Sequence, residues 1–237
     1  MGDGIYTALS GAMGRQRQLD QVSHNLANAD SAGFRQTREA FQESLVDAER
    51  GVHFVQSGEQ IIDLTPGRIE STDNPLDLAI TGPGFFRVQG PQDDAPILTR
   101  NGQFRLDSQG RLVTQQGRAV LDDTGSPIEL MATPEEVMIG EGGDIWDAFG
   151  MVAHLGVVEV QDPRALQAVD GGFRTPAQNL MPASGGVLQG SLERGNVNPV
   201  TAMTEMITLQ RHFEAMNNLI QTHNRTDSVA IESLGKI

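Results

Sequence analysis

The sequence predicts a mainly β central domain of short hairpin strands, with a long α-helix at each end. Apolar residues near both termini recur at steps of three and four, which is the period of a helix with one apolar face. Between them, short apolar runs alternate with turn residues, as expected for hairpin strands. The chain contains no cysteine, so neither disulfides nor thiolate metal sites support the fold.

The first helix is predicted from Ile5 to Ala29. Its apolar seam is interrupted once, at Arg15, and is narrower than the stripe of a helix that packs on a globular domain. Glycines in this stretch each lower helix stability by about 1 kcal/mol relative to alanine, so the helix needs partners to form fully. The seam consists of Ile5, Ala8, Ala12, Leu19, Val22, Leu26 and Ala29.

A helix stop and a turn follow, where Asn25-Leu26-Ala27-Asn28 leads to Gly33-Phe34. Asn and Gly tolerate left-handed backbone, and Gly is the usual residue beyond a helix end. We expect Phe34 to anchor the chain that follows. The residues from 35 to 50 fit a short helix and an extended arm equally well, so both alternatives stay open.

The central region, from residue 58 to 195, is predicted to form short strands. Turn glycines at positions 102, 110, 117 and 125 are spaced by 8, 7 and 8 residues, which is typical of a β-meander of hairpins. The segment from Pro163 to Gly186 is polar and is predicted to be a loop. The predicted strands are 78–80, 85–88, 98–99, 104–106, 112–114, 120–121 and 152–160.

The last helix is predicted to begin with Asn198 as its N-cap and Pro199 at its first position. It extends over about 35 residues, or roughly 50 Å, which is longer than a small β-domain can cover. Its seam consists of Ala202, Met206, Leu209, Phe213, Met216, Ile220, His223, Asp227, Ala230 and Leu234.

Charge and composition limit the possible functions. The net charge is −14, and residues 1–38 carry +1 while residues 200–237 carry −1, so the acidity lies in the middle. We therefore expect no nucleic-acid binding. No stretch approaches the ~20 apolar residues of a transmembrane helix, and the first residues lack the pattern of a cleaved secretory signal.

Catalytic motifs are not completed anywhere in the sequence. Gly82-Pro83-Gly84 is followed by Arg87 where a dinucleotide fingerprint needs glycine. Ser184 lies in a sequence that lacks the first glycine of a nucleophile elbow. We therefore predict no catalytic residues, no cofactor and no metal ligands.

Four motifs, in this order along the chain, resemble those of bacterial flagellar rod and hook proteins. Residues 25–28 with Gly33-Phe34 resemble the N-terminal signature of that family. Residues 74–86 and 99–104 resemble two central motifs, and residues 190–200 with Gln210-Arg211 resemble the C-terminal signature. The sequence is most similar to proximal-rod members, with distal-rod and hook-type members as the alternatives.

The resemblance implies a structural, non-enzymatic axial subunit in the periplasm-spanning rod of the flagellar basal body. Such subunits leave the cell through the flagellar type III export apparatus, and their terminal helices form a coiled coil on assembly. The rod transmits torque and encloses the export channel. The implied partners are copies of the chain, other rod proteins, the export apparatus and the surrounding basal-body rings.

The predicted organisation is an N-terminal helix and turn (1–34), a connecting arm (35–57), a central β-domain (58–195) and a C-terminal helix (196–237). A glycan hydrolase acting on the cell wall is the remote alternative, and it would need two facing carboxylates about 5–10 Å apart. The predicted assembly interface comprises Ile5, Leu19, Val22, Asn25, Leu26, Asn28, Gly33, Phe34, Asn196, Asn198, Met206, Leu209, Phe213, Met216, Ile220 and Leu234.

Overall fold

The structure is a computed structural model that describes residues 2–39, 42–47, 52–56, 60–91, 95–131 and 133–234. The chain divides into two compact units. The terminal unit comprises residues 1–28, 37–63 and 197–237, and the central unit comprises residues 29–36 and 64–196. The fold is mainly β with one helix near each end, as the sequence predicts.

The terminal unit contains both long helices. Helix α1 spans Gly2–Ala27 and helix α2 spans Pro199–Leu234, with 26 and 36 residues. Helix α1 ends two residues before the predicted Ala29. At this end, both the backbone N–H and the side-chain amide of Asn28 donate to the carbonyl of His24, at 3.3 and 2.9 Å, and these bonds satisfy an otherwise unpaired carbonyl.

The described parts of the connecting arm are extended rather than helical. Strand β1 (Thr37–Glu39) pairs antiparallel with β4 (Gln60–Ile62), and β2 (Gln42–Asp47) pairs antiparallel with β3 (Val52–Gln56). Both partners of each pair lie within the terminal unit. The open choice between a helix and an arm is therefore resolved by strand pairing, which local sequence does not report.

The central unit is built from short antiparallel strands. Its largest sheet has six strands in the order β15-β16-β8-β7-β14-β17, and β11-β12-β13 form a second sheet. Three further pairs are β18-β6, β19-β5 and β10-β9. The strands are β5 Ile69–Ser71, β6 Leu78–Thr81, β7 Phe85–Val88, β8 Ile97–Thr99, β9 Phe104–Leu106, β10 Leu112–Thr114, β11 Met138–Ile139, β12 Asp144–Asp147, β13 Gly150–His154, β14 Val157–Val160, β15 Gln167–Val169, β16 Gly172–Arg174, β17 Leu180–Pro182, β18 Gly186–Gln189 and β19 Ser191–Glu193.

Two sequence predictions are corrected in this unit. The predicted loop between Pro163 and Gly186 contains β15, β16 and β17, and two of these form the edges of the six-stranded sheet. Strands of three residues are too short to show a period of two. The predicted strand 152–160 is two strands, β13 and β14. Between them, Gly156 lies so close to the backbone of Asp122 that an added Cβ would be 2.4 Å from the Asp122 carbonyl oxygen.

The core of the central unit is aliphatic around one aromatic pair. Phe86 and Phe104 meet edge to face, with ring centroids 5.2 Å apart and both side chains fully buried. Leu78, Ile97 and Leu112 are buried in the same cluster. Each such side chain contributes about 1.5–3 kcal/mol through its burial, so this unit has a complete core of its own.

Candidate assembly interface

The two helices of the terminal unit contact each other along a narrow inner seam, defined by the buried Ala12, Val22, Ala202 and Leu209. Small side chains in this seam allow the helix backbones to approach. A Cβ placed on Gly11 would lie 3.3 Å from Met216 Cε, which is tighter than ordinary contact. Part of the predicted interface, including Val22 and Leu209, therefore packs within a single chain.

The other predicted apolar positions on the helices are partly accessible. Leu19 and Phe213 line a groove of about 560 Å³ together with polar residues of α2. The side chains of Ile5 and Leu234 lie outside the described part of the chain. The half-buried predicted positions are Leu19, Leu26, Met206, Phe213, Met216 and Ile220.

A second set of apolar side chains, which the predicted interface does not include, is exposed on both helices. Val200, Met203 and Ile207 on α2 are 52–74% exposed, and Leu9 and Met13 on α1 are about half exposed. We call these five residues the outer apolar face. On α2 they lie roughly a third of a turn away from the inner seam, at the helical spacing i, i+3, i+7. That spacing is present in the sequence, but it is shorter than the periodic run that contains the inner seam.

The predicted asparagines Asn25 and Asn198 form hydrogen bonds near the helix ends within the chain. The Asn198 side-chain oxygen accepts hydrogen bonds from the backbone N–H groups of Val200 and Thr201, at 3.1 and 3.2 Å, so the predicted N-cap is confirmed. Asn25 is buried. Its side chain donates to the carbonyl of Thr37 at 2.9 Å and accepts from the Thr37 N–H at 3.2 Å, which ties β1 to α1.

Gly33, Phe34 and Asn196 belong to the central unit, where they close the turn of residues 29–36. The Gly33 N–H donates to the carbonyl of Glu193 at 2.7 Å, and its φ of +67° is favourable for glycine. A Cβ at Gly33 would lie 2.1 Å from the carbonyl carbon of Arg100. The Asn196 N–H donates to the Phe34 carbonyl at 3.4 Å, and its side-chain oxygen accepts from the Gln36 N–H at 2.8 Å.

Beside this turn lies a buried cluster that we call the Glu193 hub, made of Arg35, Gly67, Arg100 and Glu193. Oε1 of Glu193 accepts from Arg35 Nη2 at 2.6 Å and from the Gly67 N–H at 2.7 Å. Its Oε2 accepts from Arg100 Nη1 at 3.2 Å. All three charged side chains are at least 95% buried. The hub therefore joins the turn, the end of β8 and strand β19 through one carboxylate.

Arg100 has further partners in the hub. Its guanidinium donates to the carbonyls of Ile80 and Gly82, at 3.3 and 2.6 Å, and lies 5.4 Å from the centre of the Phe85 ring. Burial lowers the pKa of Arg100 to about 10, against the opposing effect of the Glu193 carboxylate. Two guanidinium groups share one carboxylate in the hub, and the Glu159 carboxylate adds a further favourable charge near Arg100.

Sequence analysis did not identify the hub. Arg35, Arg100 and Glu193 each lie in or beside a motif, but they are separated by more than 60 and 90 residues along the chain. A lone charged residue is usually solvated, and nothing local marks these three as buried. The signal was indirect: each stands beside a glycine or a strand whose burial depends on the complete fold.

Polar clusters elsewhere give little support for catalysis. Within the described residues, no group of three or more His, Asp or Glu side chains is placed to hold a metal ion. A cleft of about 620 Å³ in the central unit is lined mainly by apolar residues, with Asp123 as the one carboxylate among the described residues that line it. Glycoside hydrolysis generally uses two carboxylates, so this cleft does not support the hydrolase alternative.

None of the helices in the described part of the chain combines the length and the apolar character needed to cross a bilayer.

Three family models match successive parts of the chain. Residues 5–35 match the model described as flagella basal body rod protein, and residues 79–146 match the flagellar hook protein FlgE/F/G D1 domain. Residues 188–233 match the flagellar basal body rod FlgEFG protein C-terminal model. The first and last matches cover the turn and α2, and the middle match covers strands β6 to β12 with the core between them.

Full-length relatives carry the same description. The chain is 34% identical to the flagellar basal-body rod protein FlgF of Rhizobium meliloti over 99% of both chains. It is 32% identical to the FlgF of Caulobacter vibrioides over the whole of both chains. It is 29% identical to the flagellar basal-body rod protein FlgG of Bacillus subtilis, over 92% of this chain and 94% of the relative.

These relatives are described as flagellar basal-body rod proteins, and their similarity to this chain extends through both terminal helices and the central unit. The chain therefore belongs to the flagellar basal-body rod protein family, and its place is the rod of the basal body.

Proposed function

We propose that the chain is a non-enzymatic axial subunit of the proximal rod, which polymerises through its terminal helices. The observation that supports this most directly is the outer apolar face of the terminal unit. Its five side chains are about half exposed or more in the single chain, although the same helices already bury an inner seam. Burying apolar surface contributes about 25 cal/mol per Å², so association of several helix pairs stabilises what one chain leaves exposed.

The inner seam and the outer face have different roles in this proposal. The inner seam, with Val22 and Leu209, holds α1 on α2 within one subunit. The outer face and the groove beside Leu19 and Phe213 receive helices of neighbouring subunits, which gives a coiled-coil tube. Such a tube transmits torque through its packed helices and encloses a channel for exported proteins. The predicted residues with half-buried side chains belong to this second set.

The family comparison supports the proximal rather than the distal position. Relatives named FlgF reach 34% identity over the full length, whereas the FlgG of Bacillus subtilis reaches 29%. Membership of the family also supports passage through the flagellar type III apparatus and contact with other rod proteins. The surrounding rings are further candidate contacts for the central unit.

Charge substitutions on α2 test the assignment of the two surfaces. Ile207→Glu places a carboxylate on the outer face, Leu209→Glu places one in the inner seam, and Thr208→Glu changes an exposed polar residue between them. We expect the purified Ile207→Glu chain to keep the central unit intact and the cells to lose motility. Thr208→Glu should leave motility near normal.

Electron microscopy of basal bodies separates the possible outcomes. Rods that stop early in Ile207→Glu cells, with normal export of the variant chain, support polymerisation through the outer face. Complete rods in these cells would contradict it. In cells that lack the gene, a rod that ends before its distal part supports the proximal position, and complete motile flagella would exclude a rod function.

A further inference from the structure

The small sheet β11-β12-β13 exposes an apolar face on the central unit. Met138 pairs with Trp146 across β11 and β12, and Trp146 pairs with Met151 across β12 and β13, so the three side chains share one face. They are 69%, 47% and 53% exposed. On the opposite face, the paired Ile139 and Ile145 are buried in the core. The sheet therefore has a filled inner side and an apolar outer side.

Two local features, a β-bulge and a turn, expose additional apolar side chains to solvent. The bulge lies between β12 and β13. The register between β12 and β13 moves from Ile145–Ala153 to Trp146–Met151, which leaves Val152 as the extra residue of a β-bulge. Both Met151 and Val152 are consequently exposed. Bulges commonly redirect side chains next to functional sites.

The turn between β12 and β13 presents Phe149. The Asp147 side-chain oxygen accepts from the N–H groups of Phe149 and Gly150, at 2.7 and 3.1 Å, which fixes the turn. Gly150 has a φ of +136°, a conformation that favours glycine. Phe149 is 82% exposed at this fixed position. We call Met138, Trp146, Phe149, Met151 and Val152 the sheet patch.

The chain segment that carries the sheet patch has acidic charges and no Lys or Arg. Residues 119–163 contain ten Asp and Glu residues and no Lys or Arg. Glu141 and Asp147 lie in the loop and strand next to the patch, and Glu135 and Glu136 precede β11. An acidic border of this kind repels anionic lipid surfaces and nucleic acid.

A second copy of the chain is also a poor occupant. It presents the same acidic patch, and the chain as a whole carries −14 with no Lys- or Arg-rich stretch. Like charges brought together at an interface cost several kcal/mol. The charge pattern fits a partner of opposite sign. We propose that the sheet patch is a docking surface for a different protein, whose apolar contact area is bordered by Lys and Arg.

Site-specific photocrosslinking in living cells tests the proposal. A photoreactive phenylalanine analogue replaces Phe149, and the same analogue replaces Ala168 in β15, which is exposed on a separate sheet. The expected result is an adduct at position 149, absent at 168, with a different protein whose crosslinked peptide is rich in Lys or Arg. An adduct with a second copy of this chain, or equal labelling at both positions, would overturn the proposal.

Binding of the purified full-length chain to the protein identified by the crosslink provides the second arm. Trp146 is the single tryptophan, so its fluorescence reports directly on the patch. Phe149→Ser is expected to weaken the Kd about tenfold or more, and Ile69→Ser, an exposed apolar position on β5, is the matched control. Glu141→Lys and raised salt should both weaken binding. Binding that is indifferent to salt and to Phe149→Ser would exclude the docking surface.

Discussion

The two units of this chain bury their apolar residues in different ways. The central unit has a filled aliphatic core and, at the Glu193 hub, places even its charged groups in contact with partners. The terminal unit has a narrow inner seam and leaves Leu9, Met13, Val200, Met203 and Ile207 about half exposed or more. A unit with a complete core is stable alone, whereas helices with unsatisfied apolar faces gain their stability from neighbours. The division matches a subunit whose central unit is stable on its own and whose terminal helices are stabilised on assembly.

Limited proteolysis of the isolated chain tests this difference as a whole. We expect cleavage first within the terminal unit, in α1, α2 and the segment 37–63, while the central unit of residues 29–36 and 64–196 resists. The resistance of residues 29–36 follows from the burial of Arg35 and from the Gly33 contact to Glu193. Mass spectrometry of the fragments gives the boundaries. Uniform resistance along the whole chain would show that the helices are already stable in the monomer, and the contrast would fail.

Glu193→Gln should have the largest effect among single substitutions in the central unit. It removes the carboxylate that the buried guanidinium groups of Arg35 and Arg100 share, and breaking a buried pair in this way costs about 3–5 kcal/mol. The free energy of unfolding from urea titration measures the loss. Glu70→Gln is the matched control, because Glu70 forms a half-exposed pair with Arg194 and should change stability by less than about 1 kcal/mol.

A second substitution separates the charge balance of the hub from its packing. Arg35→Met replaces the guanidinium group with an unbranched apolar side chain. It leaves one cation, Arg100, with the Glu193 carboxylate. We expect it to cost less than Glu193→Gln, because the Arg35 cation is removed together with its contact. Equal losses for the two variants would mean that hydrogen bonds to Arg35, rather than charge, dominate the stability of the hub.

Gly33→Ala should have the next largest effect, at roughly 2 kcal/mol or more. The substitution combines an unfavourable positive φ with a Cβ placed 2.1 Å from the Arg100 backbone. Gly117 is a matched control, since its φ is +82° but no heavy atom lies within 4 Å of the added Cβ. Gly117→Ala should cost only the conformational part, about 1–2 kcal/mol. If thermal unfolding shows equal shifts, the turn does not pack against Arg100 in solution.

The sequence predicted some parts of this molecule better than others, for physical reasons. The long helices, the Asn198 cap and the strands around Phe86 and Phe104 have strong local periodicity, so they were predicted correctly. The strands between Pro163 and Gly186 were missed because each has only three residues, too few to show a period of two. The arm from residue 37 was undecided because its structure depends on pairing with residues distant in sequence.

The candidate site shows the same limit. Gly33 and Asn196 were selected from their motifs, but their hydrogen-bond partners, the Glu193 carbonyl and the Gln36 N–H, are distant in sequence, and no local pattern marks them. The outer apolar face has helical spacing in the sequence, yet only the structure separates it from the inner seam. Sequence periodicity shows that a helix has apolar positions, and the contacts decide which of them stay accessible.

Asn198→Ala, in the terminal unit, should have the smallest effect on stability among these substitutions. It removes the acceptor for the N–H groups of Val200 and Thr201, and loss of such a cap costs typically ~1 kcal/mol. Hydrogen exchange should become faster in the first turn of α2, with little change in the core strands. Asn198→Asp keeps the acceptor and should retain protection. A helix with an exposed apolar face is only weakly stable in the free chain. The loss of hydrogen-exchange protection should therefore be measurable before assembly, and contacts within the rod should offset it. Equal protection in Asn198→Ala and in the unsubstituted chain would mean that α2 begins independently of its cap.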